Sequence, residues 1–238
     1  MVRLDKFLCD CNIGTRSQIK DYIRLGHVCI NGTVVKKADS KLDEINDKVT
    51  FRGEPCSFRK YAYYILNKPK GVVSATTDNT ADTVLSLLIG VKDKDLFPVG
   101  RLDKDTTGLL LITNDGALAH NLLSPKKHVE KTYLTGIRTP LTEAEIEQLE
   151  SGVDIGEEEI TLPARVRVVD QHSILLTIHE GRFHQVKRML KAVGNEVVSL
   201  KRVSFGTLSL DDTLKPGAYR ELTSEEILSL QRGGNHGA

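Results

Sequence analysis

The sequence predicts an α+β protein with two unequal domains: a small α/β module, then a larger body built on a mixed, largely antiparallel sheet. Three observations support this. Strand-like segments outnumber helix-like ones, many neighbouring strands are joined by hairpin-length connections, and a polar stretch at residues 52–60 divides the chain. We expect residues 1–58 to form the module and its linker, 59–232 the body, and 233–238 a disordered tail.

The composition indicates a soluble globular protein. Hydrophobic residues make up 39% of the 238 positions and charged residues 27%, which is enough apolar material for a sizeable core. No apolar run approaches the ~20 residues of a membrane-spanning helix, and the first residues lack the apolar segment of a secretory signal. We therefore expect a cytoplasmic protein with no membrane partner.

Four cysteines fall in the first quarter of the chain, which does not fit a spaced disulfide framework. Cys9, Cys11, His27 and Cys29 could be counted as four zinc ligands. However, C-x-C and H-x-C are not the usual ligand spacings, and on a helix Cys9 and Cys11 would point about 200° apart. We interpret the cysteines as reduced, partly buried thiols and expect no metal site.

Charge is unevenly distributed although the net charge is only +1. Residues 1–37 carry seven Lys/Arg against three Asp, residues 182–202 carry six against one Glu, and residues 138–160 hold eight acids and one arginine. The basic segments favour surfaces that face a polyanion, and the acidic segment favours a face turned elsewhere. Ordinary solvated faces explain the same counts equally well.

The N-terminal module begins with two short helices. Apolar residues at helical spacing cover residues 4–11. Thr15 and Gln18 form a capping-box pattern that starts a second helix, which runs to Leu25 and stops before a glycine. Residues 28–35 then predict a hairpin around an Asn-Gly turn.

One side of the second helix carries a stripe of cations. Arg16, Lys20 and Arg24 recur every four residues and advance only about 40° per step. Two helices, a basic stripe and an Asn-Gly hairpin together resemble the S4 RNA-binding module over residues 2–50. The resemblance implies phosphate contacts from Arg16, Lys20, Arg24 and Lys36, with Arg3 and Lys6 placed similarly. A charged helix pair without a ligand explains the three aligned cations less well.

The body alternates short strands with short helices. We predict strands at residues 61–66, 109–113, 129–134, 164–169, 174–179, 196–200 and 204–210, and helices at 83–89, 117–123, 142–151, 183–193 and after residue 223. Because many of the strands are joined by hairpins, the sheet should be largely antiparallel, with helices packed against it.

The loop GRLDKDTTG at residues 100–108 is the first candidate for chemistry. It holds Arg101 and Asp103 between glycines at the edge of a buried strand, and loops fixed by rigid strands often carry catalytic groups. An aspartate in a turn is more often a hydrogen-bonded turn residue than a catalyst. A catalytic role for Asp103 therefore needs support from a second group of residues. Asp105 is the alternative candidate for the catalytic carboxylate.

The second group is EGRFHQVKRM at residues 180–189, where a predicted helix begins after a Gly-Arg turn. A helix N-terminus with Lys187 and Arg188 attracts phosphate or carboxylate, although a basic surface helix would have the same sequence. Together, GRLDKDTTGLL, EKTYL and GRFHQVKRM, in this order after the S4-like module, resemble the RsuA-type branch of the RNA pseudouridine synthases. The resemblance covers most of the chain.

The resemblance implies a role for each of five residues. Asp103 would be the essential carboxylate, Arg101 would help to displace and replace the target base, and Tyr133 would stack against the flipped uracil. Lys187 would pair with Asp103, and Leu200 would pack beneath the tyrosine. Related branches carry arginine where Lys187 stands. Lysine keeps the charge but lacks the bidentate fork.

The reaction implied is the isomerisation of one uridine to pseudouridine in small-subunit (16S) ribosomal RNA. It needs a base taken out of its stack, an aromatic face and an ionised carboxylate, but no redox change and no cofactor. The carboxylate could attack C1′, add to C6 or remove a proton from C2′. The protein would act as a monomer, on free RNA or within an assembly intermediate.

Three alternatives remain at this stage. Large-subunit (23S) ribosomal RNA is the closest, because sister branches share the fold and the carboxylate. A non-catalytic RNA-binding or ribosome-assembly factor is the second, and intact Asp103, Tyr133 and Lys187 argue against it. A metal-dependent nuclease is a distant third, because no carboxylate cluster has ligand spacing.

Overall fold

The computed structural model describes residues 1–44, 46–56 and 60–233. The chain divides into two compact units, Met1–Lys60 and Tyr61–Ala238. The predicted boundary between residues 58 and 59 lies outside the described residues, as do positions 234–238 of the predicted tail. No helix in the described part of the chain is long and apolar enough to cross a bilayer.

In the first unit, residues 1–44, 46–56 and 60 form two helices and two small sheets. Its elements are β1 (Val2–Arg3), α1 (Leu4–Asp10), α2 (Arg16–Arg24), β2 (Val28–Ile30), β3 (Thr33–Val34), β4 (Lys41–Leu42), β5 (Val49–Phe51) and β6 (Glu54–Cys56). β1 pairs with β4, and the remaining strands form a sheet in the order β3-β2-β5-β6. The apolar faces of both helices pack on one core that also contains Val28 and Val49.

The start of α2 has the predicted capping box. The Gln18 backbone N–H donates to Thr15 Oγ1 at 3.4 Å, and the Thr15 backbone N–H donates to Gln18 Oε1 at 2.9 Å. The prediction of a linker from residue 52 onward was wrong in its first part, because β6 pairs with β5 across the turn Arg52-Gly53. The segment is polar because its side chains are largely exposed on an edge strand.

The second unit is built on one nine-stranded sheet. Its elements are β7 (Tyr63–Lys68), β8 (Phe97–Pro98), β9 (Thr107–Thr113), α3 (Gly116–Leu123), β10 (Lys131–Ile137), α4 (Glu143–Ser151), β11 (Arg165–Asp170), β12 (Ser173–Ile178), α5 (Gln185–Ala192), β13 (Val197–Phe205), β14 (Leu208–Ser209), β15 (Tyr219–Glu221) and α6 (Ser224–Gly233). The order is β11-β12-β10-β13-β9-β7-β15, with β14 on β13 and β8 on β9. The predicted α+β class with a mixed, largely antiparallel sheet is confirmed.

Both faces of the central strands are buried. Along β9, Leu110 belongs to one hydrophobic cluster and Leu111 to the other, since successive side chains point to opposite faces. α4 and α5 contribute to the first cluster, and α3 and α6 to the second. Burial on both faces explains why β9 is a continuous apolar run rather than an alternating one, and each buried leucine contributes about 1.5–3 kcal/mol of transfer free energy.

One pair of strands in this sheet is parallel, and we call it the parallel junction. β9 meets β13 through the pairs Thr107 with Lys201 and Gly108 with Arg202. A Cβ at Gly108 would lie 2.2 Å from the carbonyl oxygen of Arg202, and Gly108 has a φ of +101°. Only glycine permits this approach, and the 100–108 loop enters the sheet at this point.

Four predicted elements differ from the structure. The 83–89 helix is a short 3₁₀ turn, Val84–Leu87. The predicted helix at 183–193 begins at Gln185, because His184 has a left-handed φ of 49°. One strand, β13, runs through the predicted 196–200 strand, the gap at 201–203 and the start of the predicted 204–210 strand, because Arg202 is buried and its Nε donates to the Leu109 carbonyl at 2.8 Å. The rest of the 204–210 prediction turns at Gly206-Thr207 and returns as β14, which pairs with β13.

Candidate active site

A buried lysine holds the 100–108 loop in place. The Lys68 side chain is 0% exposed, and its ammonium donates to the carbonyl oxygens of Asp103 at 3.0 Å, Lys104 at 3.4 Å and Thr106 at 2.9 Å. Burial lowers the pKa of Lys68 to about 8, although Asp105 and Asp103 favour its charged form. Because three carbonyls of one loop converge on a single ammonium, the loop has little freedom to change shape.

A second contact fixes the residue before the candidate carboxylate. Ser74 Oγ donates to the Leu102 carbonyl at 3.0 Å and accepts from the Leu102 backbone N–H at 3.1 Å. Both residues are buried. Asp103 therefore follows a residue whose backbone N–H and carbonyl are both hydrogen-bonded. The scaffold thus sets the direction of the Asp103 side chain.

The Asp103 carboxylate lies between two basic side chains. Lys187 Nζ is 3.1 Å from Asp103 Oδ2, and His184 Nε2 is 3.4 Å from Asp103 Oδ1. The Asp103 side chain is 28% exposed. The carboxylate therefore lies within ion-pairing distance of an ammonium, in a partly buried position.

Lys187 also binds Asp105, and more closely. Its ammonium lies 2.7 and 2.9 Å from the two oxygens of Asp105. Burial lowers the pKa of Lys187, but the hydrogen bonds to Asp105 and Asp103 outweigh it, and the pKa is raised. The hydrogen bond from Lys187 in turn holds the pKa of Asp105 below its usual value. Lys187 therefore stays charged between two carboxylates.

One cleft contains all five predicted site residues of the second unit. Arg101, Asp103, Tyr133, Lys187 and Leu200 line it together. Tyr133 lies on β10, and Leu200 lies on the neighbouring strand β13, both with less than a tenth of their surface exposed. Arg101 is exposed. A carboxylate, a cation and an aromatic side chain thus meet in a cleft beside the parallel junction, and their functional roles stay predictions.

The structure adds three residues that the sequence did not single out as site residues. Lys68 lies at the end of β7, and its burial depends on a loop more than thirty residues away. The His184 ring contacts Asp103. Thr106 lines the same cleft, and its buried hydroxyl has no hydrogen-bond partner among the described residues.

The arginines of the 180–189 segment bind the chain itself. Arg182 donates to the carbonyls of Glu159 at 2.6 Å and Ile160 at 2.9 Å. Arg188 donates to the Phe183 carbonyl at 3.1 Å and to the Ile155 carbonyl, and Glu157 forms ion pairs with both arginines.

The expectation that the acidic segment faces away from this basic segment was therefore wrong at Glu157. The two segments meet because residues 152–163 cross beside the start of α5, where arginine side chains can reach main-chain carbonyls.

Among the described residues, no group of three or more His, Cys, Asp or Glu could hold a metal ion.

In the first unit, the six predicted RNA contacts are all exposed, and they are Arg3, Lys6, Arg16, Lys20, Arg24 and Lys36. Arg24 pairs with Asp21 at 2.9 Å on the same helix, and Arg3 pairs with Asp5 at 2.8 Å. The Arg24–Asp21 pair is exposed and contributes little free energy, so Arg24 can exchange its partner for a phosphate. Arg3 instead donates two hydrogen bonds to the Asp5 side chain, which is only 8% exposed. Phosphate binding by the six residues stays a prediction.

Comparison with known proteins gives consistent matches over nearly the whole chain. The RNA pseudouridylate synthase family matches residues 62–192, and the S4 domain family matches residues 2–49. The chain is 48% identical to the uncharacterized RNA pseudouridine synthase YtzG of Bacillus subtilis (strain 168), over 95% of this chain and 97% of that protein.

It is 44% identical to the ribosomal small subunit pseudouridine synthase A of Vibrio cholerae (96% of this chain, 99% of that one) and 42% identical to that of Escherichia coli K12 (96% and 100%). A solved structure described as a pseudouridylate synthase superposes with a TM-score of 0.68 at 40% identity, over 97% of this chain and 100% of that one.

Proposed function

The chain belongs to the RNA pseudouridylate synthase family, and on that premise we propose that it isomerises a specific uridine of small-subunit ribosomal RNA to pseudouridine. The substrate class follows from the relatives named ribosomal small subunit pseudouridine synthase A, which match 96% of this chain at 41–44% identity. Large-subunit RNA remains the alternative substrate.

The observation that carries the proposal is the position of Asp103. Its carboxylate is held beside Lys187 and His184 in a cleft that Tyr133 also lines. Isomerisation breaks the bond between C1′ and N1 and forms one between C1′ and C5, while C5 loses a proton and N1 gains one. The reaction therefore needs a charged carboxylate near the sugar and a surface that holds the free uracil, and no cofactor.

Each residue of the cleft has a role in this scheme. Asp103 supplies the carboxylate, whether it acts at C1′, C6 or the C2′ proton. Lys187 pairs with that carboxylate, and Tyr133 stacks on the flipped uracil. Leu200 supports the tyrosine, and Arg101, which is exposed at the cleft, helps to displace the base from its helix and to replace it.

The first unit supplies the grip on folded RNA. Its exposed cations would neutralise phosphates and recognise RNA by shape rather than by sequence. We propose residues 1–58 as this RNA-binding domain and its linker and 59–232 as the catalytic domain of a cytoplasmic monomer. Its substrate is small-subunit RNA, free or in an assembly intermediate.

The experiment is an exchange of carboxylate for amide at Asp103, assayed by tritium release from small-subunit RNA transcribed with [5-³H]uridine. Asp103→Asn should reduce the rate by at least about 1,000-fold and leave RNA binding in a gel-shift assay unchanged. Asp105→Asn is the matched control, because it removes the same charge two residues away. It should keep its activity to within about tenfold.

Two results would contradict the assignment. Near wild-type tritium release by Asp103→Asn would exclude Asp103, and loss of activity confined to Asp105→Asn would move the role to that carboxylate. Tritium release from large-subunit RNA alone would change the assigned substrate and leave the assigned reaction as it is. Pseudouridine mapping in ribosomal RNA from cells with and without the gene would locate the modified uridine.

A further inference from the structure

An exposed aromatic side chain lies next to the candidate active site. The Phe183 side chain is 72% exposed. Among the described residues, every other phenylalanine and tyrosine is buried or half-buried. A single exposed apolar side chain needs no explanation by itself, but an exposed aromatic ring at the edge of a cleft is available to stack on a ligand.

The Phe183 ring is held in a fixed orientation. It stacks on the His184 ring, with centroids 3.8 Å apart and planes 18° apart. His184 is in turn 3.4 Å from Asp103 and lines the cleft. One face of Phe183 is therefore covered by an imidazole that touches the candidate carboxylate.

The backbone that carries Phe183 is also fixed. Arg188 donates to the Phe183 carbonyl at 3.1 Å. On the preceding residue, Arg182, the backbone carbonyl accepts from the Gln185 N–H at 3.2 Å, and the guanidinium is bound to two carbonyls of the 152–163 segment. An aromatic ring on a rigid backbone can stack with a partner at a small entropic cost.

We propose that Phe183, backed by His184, is a stacking platform for an unpaired RNA base that neighbours the flipped uridine. This inference rests on the proposed function and extends it to the bases beside the target. Flipping one nucleotide leaves its neighbours without a stacking partner, and aromatic rings replace that partner for any base, because every base has a π-face. Lys187 and Arg101 line the same cleft and provide positive charge for the phosphates.

The first test uses the fact that the chain contains no tryptophan. F183W makes a protein with a single indole at the proposed platform, and L228W places one on α6, on a half-exposed residue that lies outside the cleft. Oligouridylate should reduce the fluorescence of F183W by about half or more through base stacking, and it should leave L228W unchanged. An abasic ribose-phosphate oligomer of the same length should not quench F183W.

The second test uses steady-state tritium release to distinguish base stacking on the ring from the effect of side-chain size. F183L keeps an apolar side chain of similar size without a π-face, and F183Y keeps the ring. For F183L we expect KM for small-subunit RNA to rise about tenfold with kcat within about twofold, because stacking one base is worth about that factor. F183Y should stay within about twofold of wild type in both constants. A purely structural role would not distinguish the two variants in this way.

The outcomes keep the two proposals apart. If wild type releases tritium while F183L equals wild type and F183W is not quenched, the platform is wrong and the proposed function stands. If wild type releases no tritium from either ribosomal RNA, the proposed function fails. Base-dependent quenching of F183W would then still support the platform, and equal quenching by the abasic oligomer would overturn it in favour of a phosphate contact.

Discussion

The two basic segments of this chain carry a similar excess of positive charge, but their cations have different partners in the structure. In the first unit, Arg16, Lys20 and Lys36 are exposed and form no ion pair with any residue that the structure describes. In the second unit, Arg182 and Arg188 are bound to main-chain carbonyls and to Glu157. Seven cations against three acids and six against one gave no sign of this difference.

The comparison shows that a cation's function depends on the groups that the fold places opposite it. A guanidinium that already binds two carbonyls and a carboxylate releases few counterions on meeting RNA, so it adds little to affinity. It instead fixes the segment that borders the cleft. An exposed lysine on one side of a short helix fixes no other segment, but it releases counterions on meeting RNA and so adds to the affinity.

The largest expected effect comes from breaking the second segment. Arg188→Met should lower the free energy of unfolding by about 2 kcal/mol, because it leaves the carbonyls of Ile155 and Phe183 without their arginine donor and removes the shorter of the two ion pairs of Glu157. Urea titration followed by circular dichroism measures this. Lys191→Met, an exposed cation on the same helix, is the control and should change stability by less than about 0.5 kcal/mol. Equal stabilities for both variants would contradict the scaffold role.

A smaller effect, on binding rather than stability, is expected from the first segment. The triple change Arg16→Gln, Lys20→Gln, Lys36→Gln should reduce the slope of log K against log salt for RNA binding by about 2, at about 0.7 for each phosphate that the variant no longer neutralises. Its stability should stay within about 0.5 kcal/mol of wild type. Arg188→Met should leave the salt slope unchanged, so the two variants should each alter one measurement only. A salt slope that falls in Arg188→Met would remove the distinction between the segments.

The smallest effect concerns the pairing of Lys187 with Asp105 in acid. Because the pKa of Asp105 is lower in the folded protein than its ordinary value, its contribution to stability is complete above pH ~4. It disappears as the pH falls through the lowered pKa. The Asp105 side chain is 57% exposed, so the contribution should be below about 1 kcal/mol. The stability difference between wild type and Asp105→Asn should therefore shrink between pH 5 and pH 2, and a difference that grows in acid would reverse the assigned direction.

Local patterns predicted most of the fold. The Thr15 capping box, the Asn-Gly hairpin and the apolar run of β9 depend on neighbours in sequence, and all three occur in the structure. The motif resemblance also selected five side chains that share one cleft. Periodicity alone would not have brought Asp103 and Lys187 together, because 84 positions separate them in the chain.

What the sequence did not predict depends on distant partners. Lys68 was not singled out because lysine is rarely buried, and only the folded loop supplies the carbonyls that compensate its burial. Arg202 interrupted the predicted strand for the same reason. Glu157 was assigned to a separate face because its arginine partners lie 25 and 31 residues further along the chain.

At the parallel junction, the GRLDKDTTG motif contains one residue that the fold requires and one that it does not. Gly108 is required by the distance between two backbones, since any side chain there would collide with Arg202, whereas the sheet could form without a carboxylate at Asp103. On the role proposed for Asp103, a descendant that kept the glycine and lost the aspartate would retain the architecture as an inactive paralogue. The glycine would then indicate ancestry and the aspartate turnover, and a genome survey that scores the two positions separately could sort enzymes from silent copies.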